Sequence, residues 1–403
     1  MNQKEKEKIL FICPTVPRYD QNAGDLRIFS LVDILSKVYE IIYFPNYIAS
    51  SEGGSDDRYI ERLRSLGVCV PNGDCSLVEV LRKEKYKVAI IEYYFIAENY
   101  LPRIKILQPS CPVVIDSVDL HYYRQSLKYE MTKDREDLRR AREIKTRELA
   151  IYRKADVVIA ITEQDAEILR EDCPGLKLKV IPIIHRMVST SSTAQNKELI
   201  YVGGFHHDPN VDAVLYFCRD ILPLIRKVIP DINFTIVGSS PPPEIKNLSS
   251  DFIFVTGYVP SVTPYLQRSY ISVAPLRYGA GMKNKIGEAM AHGLPVVTTS
   301  VGAQGMGLVD GRNGMIADSS ESFAASVIEL IQNESLYRTI QKKAVDHIKN
   351  NFSEVQVGRQ ILDILEEVGN LPVKKISLLE KAAVLFEYTV KRAKKKLSKA
   401  VTQ

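Results

Sequence analysis

Residues 272–306 read SVAPLRYGAGMKNKIGEAMAHGLPVVTTSVGAQGM. The stretch opens at the end of a short apolar run, Ile271–Pro275, that reads as a strand. A loop with Gly279 and Gly281 follows. A helix is expected from near Met282 to Gly293, a C-terminal cap, and Pro295 opens the next strand. Strand, glycine loop and helix N-terminus form an anion site, because the backbone approaches closely, free amides point outward and the helix dipole favours negative charge. Arg277, Lys283 and Lys285 add full positive charges at the same point. Glu288 lies one turn after Lys285 on the same helix face. A carboxylate there suits a vicinal diol such as a ribose better than it suits phosphate. Phosphate donors beside a diol acceptor describe a nucleotide diphosphate site. The alternative is a generic strand-to-helix turn with surface lysines.

Working outward, short apolar runs alternate with helical stretches along almost the whole chain. In the first half the expected strands are Ile9–Cys13, Glu40–Phe44, Lys87–Tyr93, Val113–Val118, Asp156–Ile161 and Lys179–Ile184. In the second half they are Glu198–Val202, Asn233–Val237, Phe252–Val255, Ile271–Pro275, Pro295–Thr299 and Met315–Ala317. Continuous apolar strands separated by helices such as Asp25–Lys37 indicate parallel sheets covered on both faces. The charged segment Ser126–Lys154 has no Gly or Pro and reads as one exposed helix.

The expected fold class is α/β, with two Rossmann-like, doubly wound parallel-sheet domains facing a cleft between the carboxyl ends of their strands. Residues 1–188 form the first domain, the polar stretch 189–197 a linker, and 198–352 the nucleotide-binding domain. A helix over 353–369 is expected to cross back to the first domain, followed by a basic amphipathic tail over 370–403. In that tail Ile376, Leu379, Ala383, Phe386 and Val390 share a face, and Lys391, Arg392, Lys394, Lys395, Lys396 and Lys399 cluster beyond it. Residues 374–399 therefore suit peripheral contact with an anionic membrane, the alternative being a helix packed on its own protein with a solvated end.

Composition bounds the partners. The 403 residues exceed one ordinary core, and 45% hydrophobic with 26% charged residues is a globular balance. A formal charge of +5 from 54 basic and 49 acidic side chains gives nucleic-acid binding no support. The six cysteines, Cys13, Cys69, Cys75, Cys111, Cys173 and Cys218, show no metal-ligand or CxxC spacing and read as reduced structural thiols. The charged start MNQKEKEK and the lack of a long apolar run point to a cytoplasmic protein, with the inner face of the plasma membrane as a possible station. No metal and no bound cofactor are expected.

On the first domain, Gly24 at a helix start is a candidate for presenting amides to an anion, or a plain cap. Arg27, one turn further, either faces the cleft or is solvated. Asp119 and His121 follow the apolar Val113–Ile115, at the strand end where this architecture places catalytic groups. Their ordinary reading is a helix N-cap beside a surface histidine. His206 and His207 adjoin a glycine turn, while His185, His292 and His347 read as loop or helix-surface residues.

The 272–306 segment resembles the donor-site signature of the retaining family-four glycosyltransferases, enzymes of the GT-B fold. The signature's final carboxylate falls on Glu288, followed by Ala289-Met290-Ala291 and Gly293-Leu294-Pro295-Val296-Val297. Tyr201-Val202-Gly203-Gly204, Pro209-Asn210, Ile236-Val237-Gly238 and Thr256-Gly257-Tyr258-Val259 also match. The resemblance runs from residue 9 to about 352. It departs at Ala280, where many members carry a first glutamate that holds the donor sugar, and the RxGxGxKxK pattern is similar to a branch that supplies Arg and Lys instead.

The resemblance implies a metal-independent sugar transfer with retention, from a nucleotide-diphosphate sugar to a glycan or lipid-linked acceptor, as in cell-envelope polysaccharide assembly. It implies catalytic roles for His121, Asp119, Arg277 and Lys283. Gly24, Gly279, Gly281 and Lys285 would serve the diphosphate, Gly257, Tyr258 and Val259 the base, and Glu288 the ribose, with Gly203 and Gly204 also part of the donor-binding site. A sugar-nucleotide epimerase of the same fold and a catalytically inactive nucleotide-binding relative remain as alternatives.

Overall fold

A computed structural model describes residues 6–21, 23–48, 56–73, 75–188, 197–279, 281–379, 381, 382 and 386. The described chain divides into two compact units, one comprising Met1–Ile181 with Gly358–Gln403 and the other Pro182–Val357. Most of the 189–197 stretch, Ala280, and Ala383, Val390 and the basic cluster of the tail lie outside the described residues.

The first unit is built on six parallel strands: β1 (Lys8–Cys13), β2 (Glu40–Pro45), β3 (Val88–Glu92), β4 (Val113–Asp116), β5 (Val157–Ala160) and β6 (Leu178–Val180). Their order is β2-β1-β3-β4-β5-β6, so the sheet changes direction between β1 and β3. The central strands are buried on both faces, which is why they read as unbroken apolar runs. The last expected strand is shorter than the sequence pattern suggests, because pairing ends at Val180 just before Pro182, which lacks an amide hydrogen.

The 126–154 segment departs from expectation. It forms parts of two helices, His121–Thr132 and Arg135–Tyr152, which pack against each other. Lys133 takes a left-handed conformation at φ 53°, and Asp134 caps the second helix by accepting from Glu136 N at 2.9 Å. The second helix is not simply exposed, since Ala141, Glu148, Leu149, Ile151 and Tyr152 are buried.

The second unit has β7 (Glu198–Val202), β8 (Asn233–Val237), β9 (Ile253–Gly257), β10 (Ile271–Ala274), β11 (Val296–Thr298) and β12 (Met315–Ile316). All pairings are parallel, in the order β12-β11-β10-β7-β8-β9. Alternate residues feed two cores. Leu199, Tyr201, Phe234, Ile236 and Val273 join one, and Ile200, Val237, Ala274 and Val296 join the other. The direction reverses between β10 and β7, and in open parallel sheets ligands bind outside the strand ends at such a switch.

Helix Glu354–Gly369 carries the chain back to the first unit, where its residues from Gly358 onward belong. There Lys87 pairs with Glu366 at 2.5 Å, Lys179 with Glu367 at 2.5 Å, and Lys374 N donates to the buried Asp156 at 2.6 Å. Asp156 is also paired with the buried Lys105.

Candidate functional site

In the second unit the ends of β7, β8 and β9 are tied together by backbone bonds. Gly203 N donates to Val237 O at 2.9 Å, Phe205 N to Ser239 O at 3.0 Å, and Gly238 N to Gly257 O at 3.2 Å. Gly238 passes so close to the β7 turn that a Cβ would lie 1.9 Å from Gly203 O. Gly203 and Gly204 leave room for neighbours in the same way. Their Cβ atoms would stand 3.1 Å from the Asn210 side chain and 2.7 Å from the His206 ring, respectively.

Across the switch from this turn lies the loop after β10. The helix there spans Asn284–Ala291, starting two residues later than expected, with Lys283 as its N-cap. It closes on Gly293 at φ 75°, where Gly293 N donates to Met290 O (2.9 Å) and Leu294 N to Ala289 O (3.0 Å). Gly279 (φ 132°) and Gly281 (φ 72°) both take backbone conformations that side chains resist. A Cβ on Gly279 would come within 3.8 Å of Pro209, so the two loops approach closely.

The cations expected here do three different things. Lys285 Nζ donates to the Tyr201 hydroxyl at 2.9 Å and to Asn210 Oδ1, and sits 4.7 Å from the Tyr201 ring centre. Tyr201 donates to the same Asn210 oxygen at 2.8 Å, and Asn210 Nδ2 donates to Gly204 O at 2.6 Å. Burial first, and then the charge of Lys283, push the Lys285 ammonium down to about 7. Lys283 folds back on its own loop and donates to Gly281 O at 2.6 Å. Arg277 is held by Asp212 through two bonds, one of 2.9 Å, with its guanidinium 4.9 Å from the Tyr216 ring centre.

Glu288 stands one turn beyond Lys285, yet Lys285 is drawn to Tyr201 and Asn210 instead. The half-buried Glu288 carboxylate has no hydrogen-bond partner among the described residues, and burial pushes it up to about 7. Gly257 turns at φ 71°, Tyr258 is exposed, and Val259 packs on the core that holds Ile200, Val237 and Ala274. The β7 and β10 loops thus bring Gly203, Gly204, Arg277, Gly279, Gly281, Lys283, Lys285 and Glu288 to one end of the sheet. The β9 turn joins them through Gly238.

Sequence reasoning missed Tyr201, Asn210 and Asp212 as holders of the cations. Tyr201 and Asn210 lie within motifs that were recognisable, but nothing in the motif states that they meet Lys285. Two of the histidines, His185 and His292, also differ from expectation. His185 is buried under helix Asn284–Ala291, where a Cβ on Gly287 would meet its Nε2 at 2.1 Å, and desolvation lowers it to about 4. His292 is buried, bonded to Glu288 O at 2.8 Å and Thr263 Oγ1 at 3.1 Å, and His347 Nε2 contacts Met306 O at 2.7 Å. His206 and His207 are exposed beside the turn.

In the first unit Gly24 is in the first turn of helix Ala23–Ser36. Arg27 is neither solvated nor free. It is fully buried, paired with Asp116 at 2.5 Å and bonded to Ile181 O at 2.9 Å. Asp119 binds Arg124 and caps nothing; the helix that opens at His121 has its first amides bound by Glu148, from His121 N at 3.4 Å and Tyr122 N at 3.0 Å. His121 Nδ1 lies 3.2 Å from Asp119 O, and its ring meets Tyr93, Tyr94 and Phe95 edge-on at 5.3–5.7 Å. Burial lowers His121 and raises Glu148 to about 7.

Known proteins bear on both units. Residues 196–333 match the family described as "Glycosyl transferases group 1". The fold is GT-B.

That fold is shared with sucrose-phosphate synthase from Thermosynechococcus elongatus, at a TM-score of 0.65 and 17% identity over 90% of this chain and 99% of that one. It is also shared with Anabaena HepE, solved with UDP and glucose, at 0.61 and 17% over 90% and 100%. A Rickettsia africae glycosyltransferase aligns at 0.63 and 14% over 92% and 100%. Among curated relatives, a 44.6 kDa protein in the cps region of Klebsiella pneumoniae is 26% identical over 45% of this chain and 49% of its own length. A glycosyltransferase of Methanocaldococcus jannaschii is 24% identical over 55% and 60%. The chain thus spans about half the length of the curated relatives it matches. Among the described residues no helix is long and apolar enough to cross a membrane.

Proposed function

We propose that this protein is a retaining glycosyltransferase of the family-four type. It moves a sugar from a nucleotide-diphosphate donor to a glycan or lipid-linked acceptor in cell-envelope polysaccharide assembly. The observation that carries this reading is the pairing, on one helix, of a desolvated lysine at the β7–β10 switch with a carboxylate left unpartnered one turn later. Lys285, Lys283 and the Gly279 and Gly281 backbone receive the diphosphate, and Glu288 accepts from the ribose hydroxyls. Arg277 joins them by exchanging Asp212 for phosphate. Fixed positive charge stabilises the negative charge that grows on the departing diphosphate, so no divalent metal is required. Asp119 and His121 serve the acceptor side.

The cps-region relative supports the polysaccharide setting, and UDP in the similar Anabaena structure makes uridine the first base to test. The tail supports a peripheral membrane station, because Leu378, Leu379 and Phe386 are exposed ahead of the lysine-rich end of the sequence. Removing the chain after Gly369 abolishes binding to phosphatidylglycerol vesicles in this reading, and unchanged binding contradicts it.

The direct test is transfer of radiolabel from UDP-glucose, UDP-galactose, GDP-mannose and dTDP-rhamnose to lipid-linked glycans in a membrane extract. Transfer from one donor, lost in Lys285→Met, supports the proposal. Label transfer that survives both Lys285→Met and Glu288→Ala overturns it.

A further inference from the structure

The carboxyl end of the first sheet holds two non-glycine residues in backbone conformations that side chains resist. Tyr93, joining β3 directly to helix Tyr94–Leu107, has φ 66° and ψ 145°, a region that suits glycine. Val118, after the neighbouring β4, has φ 57°, unusual for a β-branched residue. Such strain persists only where the surroundings over-determine it, and it gathers at ligand sites.

The surroundings here do so. Tyr93 N donates to Asp116 O at 2.9 Å, and Ala97 N donates to Tyr93 O at 3.0 Å. The Asp116 carboxylate accepts from Val118 N at 3.2 Å and is fixed from beneath by the buried Arg27. One residue, Asp116, therefore holds both strained turns, by its backbone carbonyl at Tyr93 and by its carboxylate at Val118, next to the place where the sheet reverses between β1 and β3.

The sharp turn displays Tyr93. Its ring stacks on Phe95 with centroids 5.2 Å apart and planes at 15°, and meets His121 edge-on at 5.5 Å. Both stacked rings are half-buried, so part of each remains open. The Tyr93 hydroxyl has no hydrogen-bond partner among the described residues. An aromatic surface with an unused hydroxyl beside an imidazole fits a ligand that has an apolar ring face and many hydroxyls, which is the chemistry of a sugar.

We propose that Tyr93 and Phe95 form a stacking platform for a pyranose ring in the first unit, with the Tyr93 hydroxyl bonding a ring substituent and His121 at its edge. That this sugar belongs to the acceptor rests on the glycosyltransferase reading, whereas the platform itself does not.

Saturation-transfer NMR on the full chain tests the platform, using the methyl glycosides of glucose, galactose, mannose and N-acetylglucosamine in the presence of excess UDP. At least one glycoside receives saturation on its ring C–H protons. The signal falls roughly tenfold or more in Tyr93→Ala and in Phe95→Leu, the scale of a lost aromatic contact plus a hydrogen bond, and less in Tyr93→Phe. Tyr93→Gly melts above Tyr93→Ala, because glycine tolerates the turn, yet loses the signal equally. Silence from all four glycosides, or wild-type signal in Tyr93→Ala and Phe95→Leu, overturns the platform. Failure of UDP binding with the glycoside signal intact instead counts against the donor-site reading alone.

Discussion

Lys285 Nζ donates to the hydroxyl of Tyr201 at 2.9 Å, 84 positions away in the chain, and by that bond the first turn of helix Asn284–Ala291 is fastened to the strand across the sheet's reversal. The bond also holds a desolvated ammonium that titrates at about 7, within reach of ordinary pH changes.

Diphosphate binding favours the charged ammonium, so it raises the Lys285 value and draws a proton from solvent. Calorimetric titration with UDP at pH 8, in buffers of different ionisation enthalpy, is expected to show uptake of about one proton. Glu288 works in the opposite sense below about 7, since a ribose prefers its ionised form. Affinity therefore peaks near pH 7 and declines on both sides. Lys285→Met removes the alkaline decline, and a pH-independent wild-type affinity contradicts the assignment.

Glu288→Ala costs roughly 1.5–3 kcal/mol of nucleotide binding, the scale of hydrogen bonds to a charged group. Its effect on folding is small or favourable, because the carboxylate lacks a partner. Nucleotide titration and chemical denaturation of the same variant separate the two. Unchanged nucleotide affinity rejects Glu288 as the ribose residue.

Gly287 and His185 are locked in shape. Gly287→Ala places a Cβ 2.1 Å from His185 Nε2, and destabilisation of about 3 kcal/mol is expected. Gly287→Ala combined with His185→Ala recovers much of that loss, and a double-mutant cycle by urea denaturation measures the coupling. Additive effects exclude the contact as the cause.

Glu92 is buried beside Asp116 and Asp25, and its desolvation raises it to about 8. The folded state then holds a proton that the unfolded state releases near 4.5, so this group makes stability fall as pH rises from about 4.5 to 8. Glu92→Gln removes that dependence. Relative to wild type, the variant gains on the order of 2 kcal/mol between pH 5.5 and 7.5 in denaturation measurements. An identical slope in both proteins contradicts a neutral Glu92.

The strand series was legible because parallel strands covered on both faces are apolar almost throughout, as in β5, and the glycine loop with its capped helix was legible because each signal is local. Arg27 was not, since one turn into a helix it resembles any surface arginine; its partner Asp116 is 89 positions away. The break at Lys133–Asp134 escaped notice for a different reason. Helix formers surround it, and only Asp134 as a cap marks the second start. Tyr93 carries no sequence signal at all, because its φ is imposed by the strand beside it. Lys285 and Glu288 could be named from local loop and helix signals, while Tyr201 and Asn210, which surround the lysine, depend on contacts across the sheet.

The most direct measurement is thermal unfolding of the purified chain with UDP, GDP, dTDP, CMP and NAD, repeated with Glu288→Ala. A ligand at 100 times its dissociation constant adds about 2.7 kcal/mol, enough for a clear shift. A rise with one nucleoside diphosphate, none with NAD, and a reduced rise in the variant is the predicted result. No shift with any diphosphate, or a shift with NAD alone, contradicts the donor site.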